Sequence, residues 1–266
     1  MFEVVLFSGF LGLVLGSFLN AWVWRIREEK SVAHGRSMCP KCEHKLSFWD
    51  LIPVLSWIFL KGRCKYCQAN ISTQYPIVEV ITATSFALSA IWWPFPPIEP
   101  LGWVLFMLWL GITALFIALS VYDFKWYLLP SVLLGRLLIL VIVWQVVFAL
   151  YGADVWEWLF SPLLGAVAAF GFFYSLHIIG RGKWMGGGDV KLVFVLGLLV
   201  GIAGTLVGLF ISFVLGAVIG ILLITIQRKN RGDMVPFGPF LLIGFWIAFF
   251  FSDELIEWYT QLIVGV

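Results

Sequence analysis

Between Val190 and Ile226 the chain runs for 37 residues with a single charge, Lys191. As one helix that run would be about 55 Å long at ~1.5 Å per residue. The hydrocarbon core of a bilayer is only ~30 Å thick. The run is therefore expected to cross a membrane twice, turning near Gly201 to Gly204. The rest of the chain is of the same kind. It is 62% hydrophobic and 12% charged, with a mean hydropathy of +1.00, more apolar surface than a soluble domain of this size can bury.

Apolar stretches of span length place the other crossings at about 4–24, 76–93, 101–122, 130–150, 158–179 and 235–251. The expectation is an all-α polytopic membrane protein with about eight transmembrane helices. No Lys or Arg precedes the first run and no small-residue cleavage site follows it, so it reads as a retained span. The stretch 25–75 differs in composition. It holds nine of the seventeen Lys and Arg residues and all four cysteines, and reads as a small cytosolic, zinc-ribbon-like domain between the first and second spans. The domain reading is thus 1–24 first helix, 25–75 four-cysteine domain, 76–252 membrane core and 253–266 extracytoplasmic tail.

Basic residues fix the orientation, because they stay on the cytosolic side. Sixteen of the seventeen lie in alternate loops at 25–75, 123–130, 180–191 and 227–234, and Arg136 falls within two turns of that face. The other loops and the termini hold Glu3, Glu99, Asp154, Glu157, Asp253, Glu254 and Glu257 and no Lys or Arg. Both termini are then outside, and Asp123 and Asp189 share the cytosolic side.

That co-location matters because a carboxylate at the mouth of a span is costly and is a functional candidate by default. Asp189 follows Gly186-Gly187-Gly188 and opens the longest apolar run, with Lys191 just beyond; Asp123 ends another run. Two adjacent carboxyls that share one proton can activate water for peptide hydrolysis, and glycines let a substrate strand approach closely. A competing reading makes Asp189 a helix N-cap and pairs Asp123 with Lys125. Asn20 and the Gly12/Gly16 pair in the first span read first as helix-packing residues.

Cys39-Pro-Lys-Cys42 and Cys64-Lys-Tyr-Cys67, with 21 residues between, have close to the spacing of a four-cysteine zinc site. Cytosolic disulfides rarely persist. Structural zinc is the leading reading, beside a redox pair or free thiols. Four thiolates would leave such a zinc no open position for catalysis. His34 and His44 read as surface residues. The tryptophans near span ends read as interfacial anchors, and the basic residues read first as the orientation signal and only second as a patch for anionic lipid headgroups. The expected partner from composition is the lipid bilayer. No phosphate-binding loop is present, and no nucleic acid is expected.

Six blocks in order resemble those of bacterial type IV prepilin peptidases, also called prepilin leader peptidase/N-methyltransferases. They are Gly16-Ser-Phe-Leu-Asn20; the stretch Cys39 to Cys67 with Ile52-Pro-Val-Leu-Ser-Trp57; Tyr75-Pro-Ile-Val-Glu79; Asp123 to Pro130; Gly186 to Leu192, the GxGD motif of presenilin-like proteases; and Pro236-Phe-Gly-Pro-Phe240. Ser131 departs from the pattern, which often has a further acid there. The resemblance implies an aspartic endopeptidase of the bacterial inner membrane. Asp123 and Asp189 would be catalytic, and Gly186, Gly187, Gly188 and Lys191 would form the active-site loop around Asp189. The substrates would be prepilins or pseudopilins, cut on the cytosolic side after a glycine. It also implies methylation of the new N-terminus from S-adenosylmethionine, with Glu79 the residue placed near that chemistry. The rival readings are a broader GxGD protease, an ion or proton transporter or channel with the aspartates as ligands, and a zinc-ribbon scaffold.

Overall fold

The computed structural model of the chain describes residues 2–31, 37–95, 100–226 and 235–264. His34, Arg36, Glu99, Arg228, Lys229 and Arg231, which entered the charge and ligand arguments, lie outside them. The chain divides into two compact units, Met1–Trp93 and Pro94–Val266. Among the described residues six helices are long and apolar enough to cross a membrane.

In the first unit, α1 (Phe2–Arg27) and α3 (Gln74–Ile91) form an antiparallel hairpin. A Cβ added at Gly12 would lie 2.6 Å from Ala83 Cα, and one at Gly16 2.7 Å from Glu79 Cα. The two backbones touch there, so these glycines are packing residues. Asn20 closes the hairpin. Its Nδ2 donates to the carbonyls of Gly16 and Tyr75, and its Oδ1 accepts from Gln74 Nε2, each at 3.2 Å. Between the helices lie two cysteine turns, a 3₁₀ turn (Phe48–Leu51) and the short α2 (Leu55–Phe59).

In the second unit, α4 (Pro100–Trp126) is the central helix, with Leu105, Trp109, Ile112, Ala118 and Leu119 buried. Trp109 stacks on Phe249 at 3.7 Å between centroids. α5 (Ser131–Tyr151) follows, then a π turn (Trp156–Phe160) leading into α6 (Ser161–Ile179), α7 (Gly187–Thr225) and α8 (Gly238–Val264).

α7 is not one rod. Gly201 has φ 72° and ψ −177°, a conformation natural only to glycine. Phe194, before it, packs on Phe170, and Phe213, beyond it, packs on Phe172 and Phe173. Both arms therefore pass the same level of α6, and the chain reverses at Gly201. The reversal breaks the helical ladder, and side chains make good the loss. Ile202 N–H donates to Ser161 Oγ (3.1 Å), and Gln145 Nε2 donates to the Leu198 carbonyl (2.5 Å). Broken helices inside a membrane need such substitutes.

Three boundaries differ from the sequence expectation. α4 does not stop before Asp123 but runs on to Trp126, because Tyr127 N–H still bonds the Asp123 carbonyl (2.8 Å); Tyr127 itself, at φ 54°, ends it. α7 starts at Gly187, two residues before Asp189. α8 continues through the acidic stretch to Val264, since a helix can leave the bilayer without unwinding when exposed Asp253, Glu254 and Glu257 point to water.

Candidate functional site

The chemistry-bearing residues of the second unit gather at one of its ends. Asp123, 5% exposed in the last turns of α4, accepts a hydrogen bond from Gly238 N–H at the start of α8 (3.1 Å). An anion at a helix C-terminus is disfavoured, while a helix N-terminus attracts one. The α8 N-terminus thus accounts for a carboxylate that α4 alone would repel. A Cβ added at Gly238 would fall 2.6 Å from Asp123 Oδ2, so the Pro236–Phe240 block needs glycine there.

Asp189 is not the cap of α7. Gly186 is the N-cap, and Asp189, three residues on, takes a hydrogen bond from the Gly186 backbone. That is half of a capping box, so the local reading of this residue has a real structural basis. The second feature is longer-range: Asp189 interacts electrostatically with Asp123. Leu129 sits between their loops, 3.0 Å from a Cβ built on Gly188 and 3.5 Å from one built on Gly238. The GxGD loop is tied from outside by His177, whose Nδ1 bonds the Met185 carbonyl (2.8 Å). Lys191 is exposed, and the Lys125 ammonium lies over the Trp126 ring at 5.2 Å.

The packing sets the depth of this end. α8 runs antiparallel to the second arm of α7, with Phe237 and Phe240 against Gly216 and Phe245 against Gly208. Gly238 is therefore level with the stretch just after Gly216. The arm continues to Thr225, about two turns or ~10 Å beyond. The carboxyls are sunk below the end of that helix.

In the first unit the four cysteine Sγ atoms lie within 4.8 Å of one another, with Cys39 and Cys67 at 3.9 Å, and none is in a disulfide. A tetrahedral zinc with Zn–S near 2.3 Å needs S···S of about 3.8 Å, so the donor set fits. The two halves repeat. Cys39 N–H bonds His44 O and Glu43 N–H bonds Cys39 O; Cys64 N–H bonds Ala69 O and Gln68 N–H bonds Cys64 O. Bridges Met38↔Lys45 and Arg63↔Asn70 close the turns, and Glu43 and Gln68 both have positive φ. Burial pushes the Cys39 thiol up, but the Cys42 and Lys41 N–H groups and the neighbouring Cys42 and Cys64 thiols bring it down to about 7. His44 is exposed and packs on Tyr66 at 3.7 Å between centroids.

Glu79 is 5% exposed between α1 and α3. Its Oε2 accepts from Val54 N–H at 2.7 Å, and Ser17 also bonds the carboxylate.

Residues 10–93 match the Bacterial Peptidase A24 N-terminal domain and residues 109–221 the Type IV leader peptidase family. A Prepilin leader peptidase/N-methyltransferase of Aeromonas salmonicida is 33% identical over 98% of this chain and 94% of its own length. The chain belongs to the type IV prepilin leader peptidase family. A member from Bacillus subtilis, with the same name, is 33% identical over 96% of this chain and 97% of its own. The Type 4 prepilin-like proteins leader peptide-processing enzyme of an Escherichia coli strain is 34% identical over 88% of both chains. No solved structure matches the chain. The two family regions meet the two structural units: the N-terminal match ends at Trp93, where the first unit ends. Gly238, His177 and Leu129 were not singled out in the sequence. Gly238 lay within a noted block, but nothing local marks a glycine as the partner of an acid 115 residues away.

Proposed function

We propose that the chain is a membrane aspartic endopeptidase that removes the leader from type IV prepilins or pseudopilins and then methylates the exposed N-terminus. One observation carries the peptidase reading: Gly238, whose N–H holds Asp123, and Gly188, beside Asp189, pack on the same Leu129 at one recessed end of the second unit.

Two carboxyls so placed share a proton. The ionised one takes a proton from a water, whose oxygen attacks the scissile carbonyl carbon. The protonated one gives its proton to the carbonyl oxygen as the tetrahedral intermediate forms. Collapse returns a proton to the leaving amine and restores the pair. Gly238 N–H and Gly186 N–H each hold one of the two acids, leaving each acid accepting capacity for the water. Which acid is the base belongs to the pair rather than to either residue. His177 is a positioning residue, holding the Met185 carbonyl and with it the loop that carries Asp189.

The span count in this reading is eight: α3 and the two arms of α7 are added to the remaining long helices. The basic loops, the cysteine turns and the carboxyl end face the cytosol of a bacterial inner membrane. Cys39, Cys42, Cys64 and Cys67 hold a structural zinc. S-adenosylmethionine is the methyl donor that the second activity requires. Glu79 is hydrogen-bonded to Val54 and Ser17, which suits holding the Pro53–Leu55 turn rather than contacting that cofactor.

The test compares purified wild type, Asp123→Asn and Asp189→Asn on a prepilin in detergent, read by mass spectrometry with and without S-adenosylmethionine. Leader loss in wild type alone is expected, with one added methyl mass when the cofactor is present. Cleavage by either variant overturns the dyad. An intact, folded wild type that moves ions in liposomes but leaves prepilin whole would favour the transporter.

A further inference from the structure

The first unit carries an apolar face that its own packing leaves open. Phe48, Trp49 and Phe59 are 76%, 73% and 79% exposed, and Leu55 and Ile58 stand beside them. The stretch Phe48 to Leu60 holds one charge, Asp50. That carboxylate is tied locally, accepting from Ser47 N–H, Ser47 Oγ and Tyr66 Oη at 2.8–3.0 Å.

The depth of this stretch is fixed by Glu79. Val54 has φ 61° and ψ −51°, and Leu55 N–H bonds the Pro53 carbonyl across it (2.5 Å). This is the rare γ-turn, strained for a β-branched residue. It aims the Val54 N–H at Glu79, the sixth residue of α3. Glu79 is thus about 7.5 Å inside the start of that helix. On α1 the matching level is Gly16, roughly 12 Å short of Trp24 and the Arg25/Arg27 pair that ends the helix. A turn tied at that level stands beside hydrocarbon, not in water.

We propose that Phe48–Phe59 is a re-entrant segment seated in the cytosolic leaflet, with Phe48, Trp49, Ile58 and Phe59 against acyl chains. Such a seat requires backbone polar groups to be satisfied internally, and the α2 end of the segment does this. Ser56, Ile58 and Leu60 N–H bond the carbonyls of Ile52, Val54 and Ser56, and Trp57 Nε1 bonds Ile71 O. Exposed Lys45, Lys61, Arg63 and Lys65 flank the segment on both sides, where anionic headgroups would meet them. The bilayer is the occupant favoured over a second protein because the depth comes from a hydrogen bond to α3, which packs along the candidate span α1 and which the eight-span reading above counts as a crossing.

The test uses the full chain in nanodiscs with a genetically encoded fluorescent residue at the position of Trp49, Ile58 or Phe59, one at a time. Glu43, in the first cysteine turn, is the aqueous control. Quenchers are a phospholipid bearing a nitroxide high on its acyl chain, and aqueous iodide. Zinc content and a monodisperse elution profile certify that each variant is folded, and three positions guard against the loss of any one. The expected result is lipid-nitroxide quenching about threefold stronger at 49, 58 and 59 than at 43, with iodide quenching reversed in the same proportion. Iodide quenching at those positions equal to that at 43 overturns the proposal, whatever the nitroxide does. Quenching by neither also overturns it, since protein then covers the face.

Discussion

Glu79 and Asp123 are the same chemical device in two places. Each is a carboxylate 5% exposed near the end of a long helix, and each accepts a hydrogen bond from a backbone N–H brought in from elsewhere, Val54 at 2.7 Å and Gly238 at 3.1 Å. Their company differs. Glu79 has a strained turn and the Ser17 hydroxyl as its partners. Asp123 has a second acid within electrostatic reach and a glycine whose missing Cβ leaves room beside it. A buried acid in a membrane helix is a functional candidate by default, yet the default separates into fastener and reagent only when the neighbours are known.

The largest expected effect comes from exchanging acids for amides. Asp123→Asn and Asp189→Asn should each lower kcat for leader cleavage by about 10³-fold or more, with membrane insertion and zinc content unchanged. Glu79→Gln should leave cleavage nearly intact, because the amide oxygen still accepts from Val54. Equal losses in all three, by peptide mass spectrometry, would erase the distinction.

Gly238→Ala tests the room beside Asp123. The new Cβ would meet Oδ2 at 2.6 Å, forcing the carboxylate to shift, and a misplacement of that order costs about 10²-fold in kcat. The counterpart in the first unit, Gly16→Ala, clashes with the Glu79 backbone instead. It should lower thermal stability and leave the kcat of the folded fraction unchanged.

His177→Ala should reduce kcat by about tenfold by freeing the Met185 carbonyl. His177→Asn, whose Nδ2 can replace Nδ1 as the donor, should recover most of it. Recovery by Leu instead would make the role one of packing.

The smallest effect on cleavage should follow metal removal. Chelation, or Cys39→Ser, should release about one zinc per chain and raise hydrogen exchange across 37–70. The end of the second unit that carries Asp123 and Asp189 should keep its exchange pattern.

Much of this was readable from the chain, for physical reasons that differ by residue. The reversal in α7 was implied by arithmetic, since 37 apolar residues cannot fit one bilayer crossing. Gly12 and Gly16 announced a close helix contact because their spacing leaves one face bare. The cysteine cluster was implied by spacing, though the matched hydrogen bonds of its halves were not, since within the two turns, 38–45 and 63–70, only the cysteines repeat. The Gly238–Asp123 bond had no local signature at all. Nor did Gln145 and Ser161, single polar residues in apolar runs whose purpose shows only once Gly201 breaks the ladder. Asp189 was misplaced by three positions as a cap because three glycines offer no side chain to mark the true N-cap, Gly186.

The reversal at Gly201 also divides α7 by what surrounds it. On the arm that carries Asp189, Val190, Leu192, Val193, Leu196 and Leu199 are buried; on the other, Leu206, Phe210, Val218, Ile221 and Leu222 are exposed. The first arm is only about 21 Å long, too short to match a bilayer by itself, but it has no lipid to match. Changes in acyl-chain length press on the outer arm and leave the inner one where its neighbours hold it. Asp189 thus rides on a helix arm largely insulated from the solvent that the rest of the protein is built to live in.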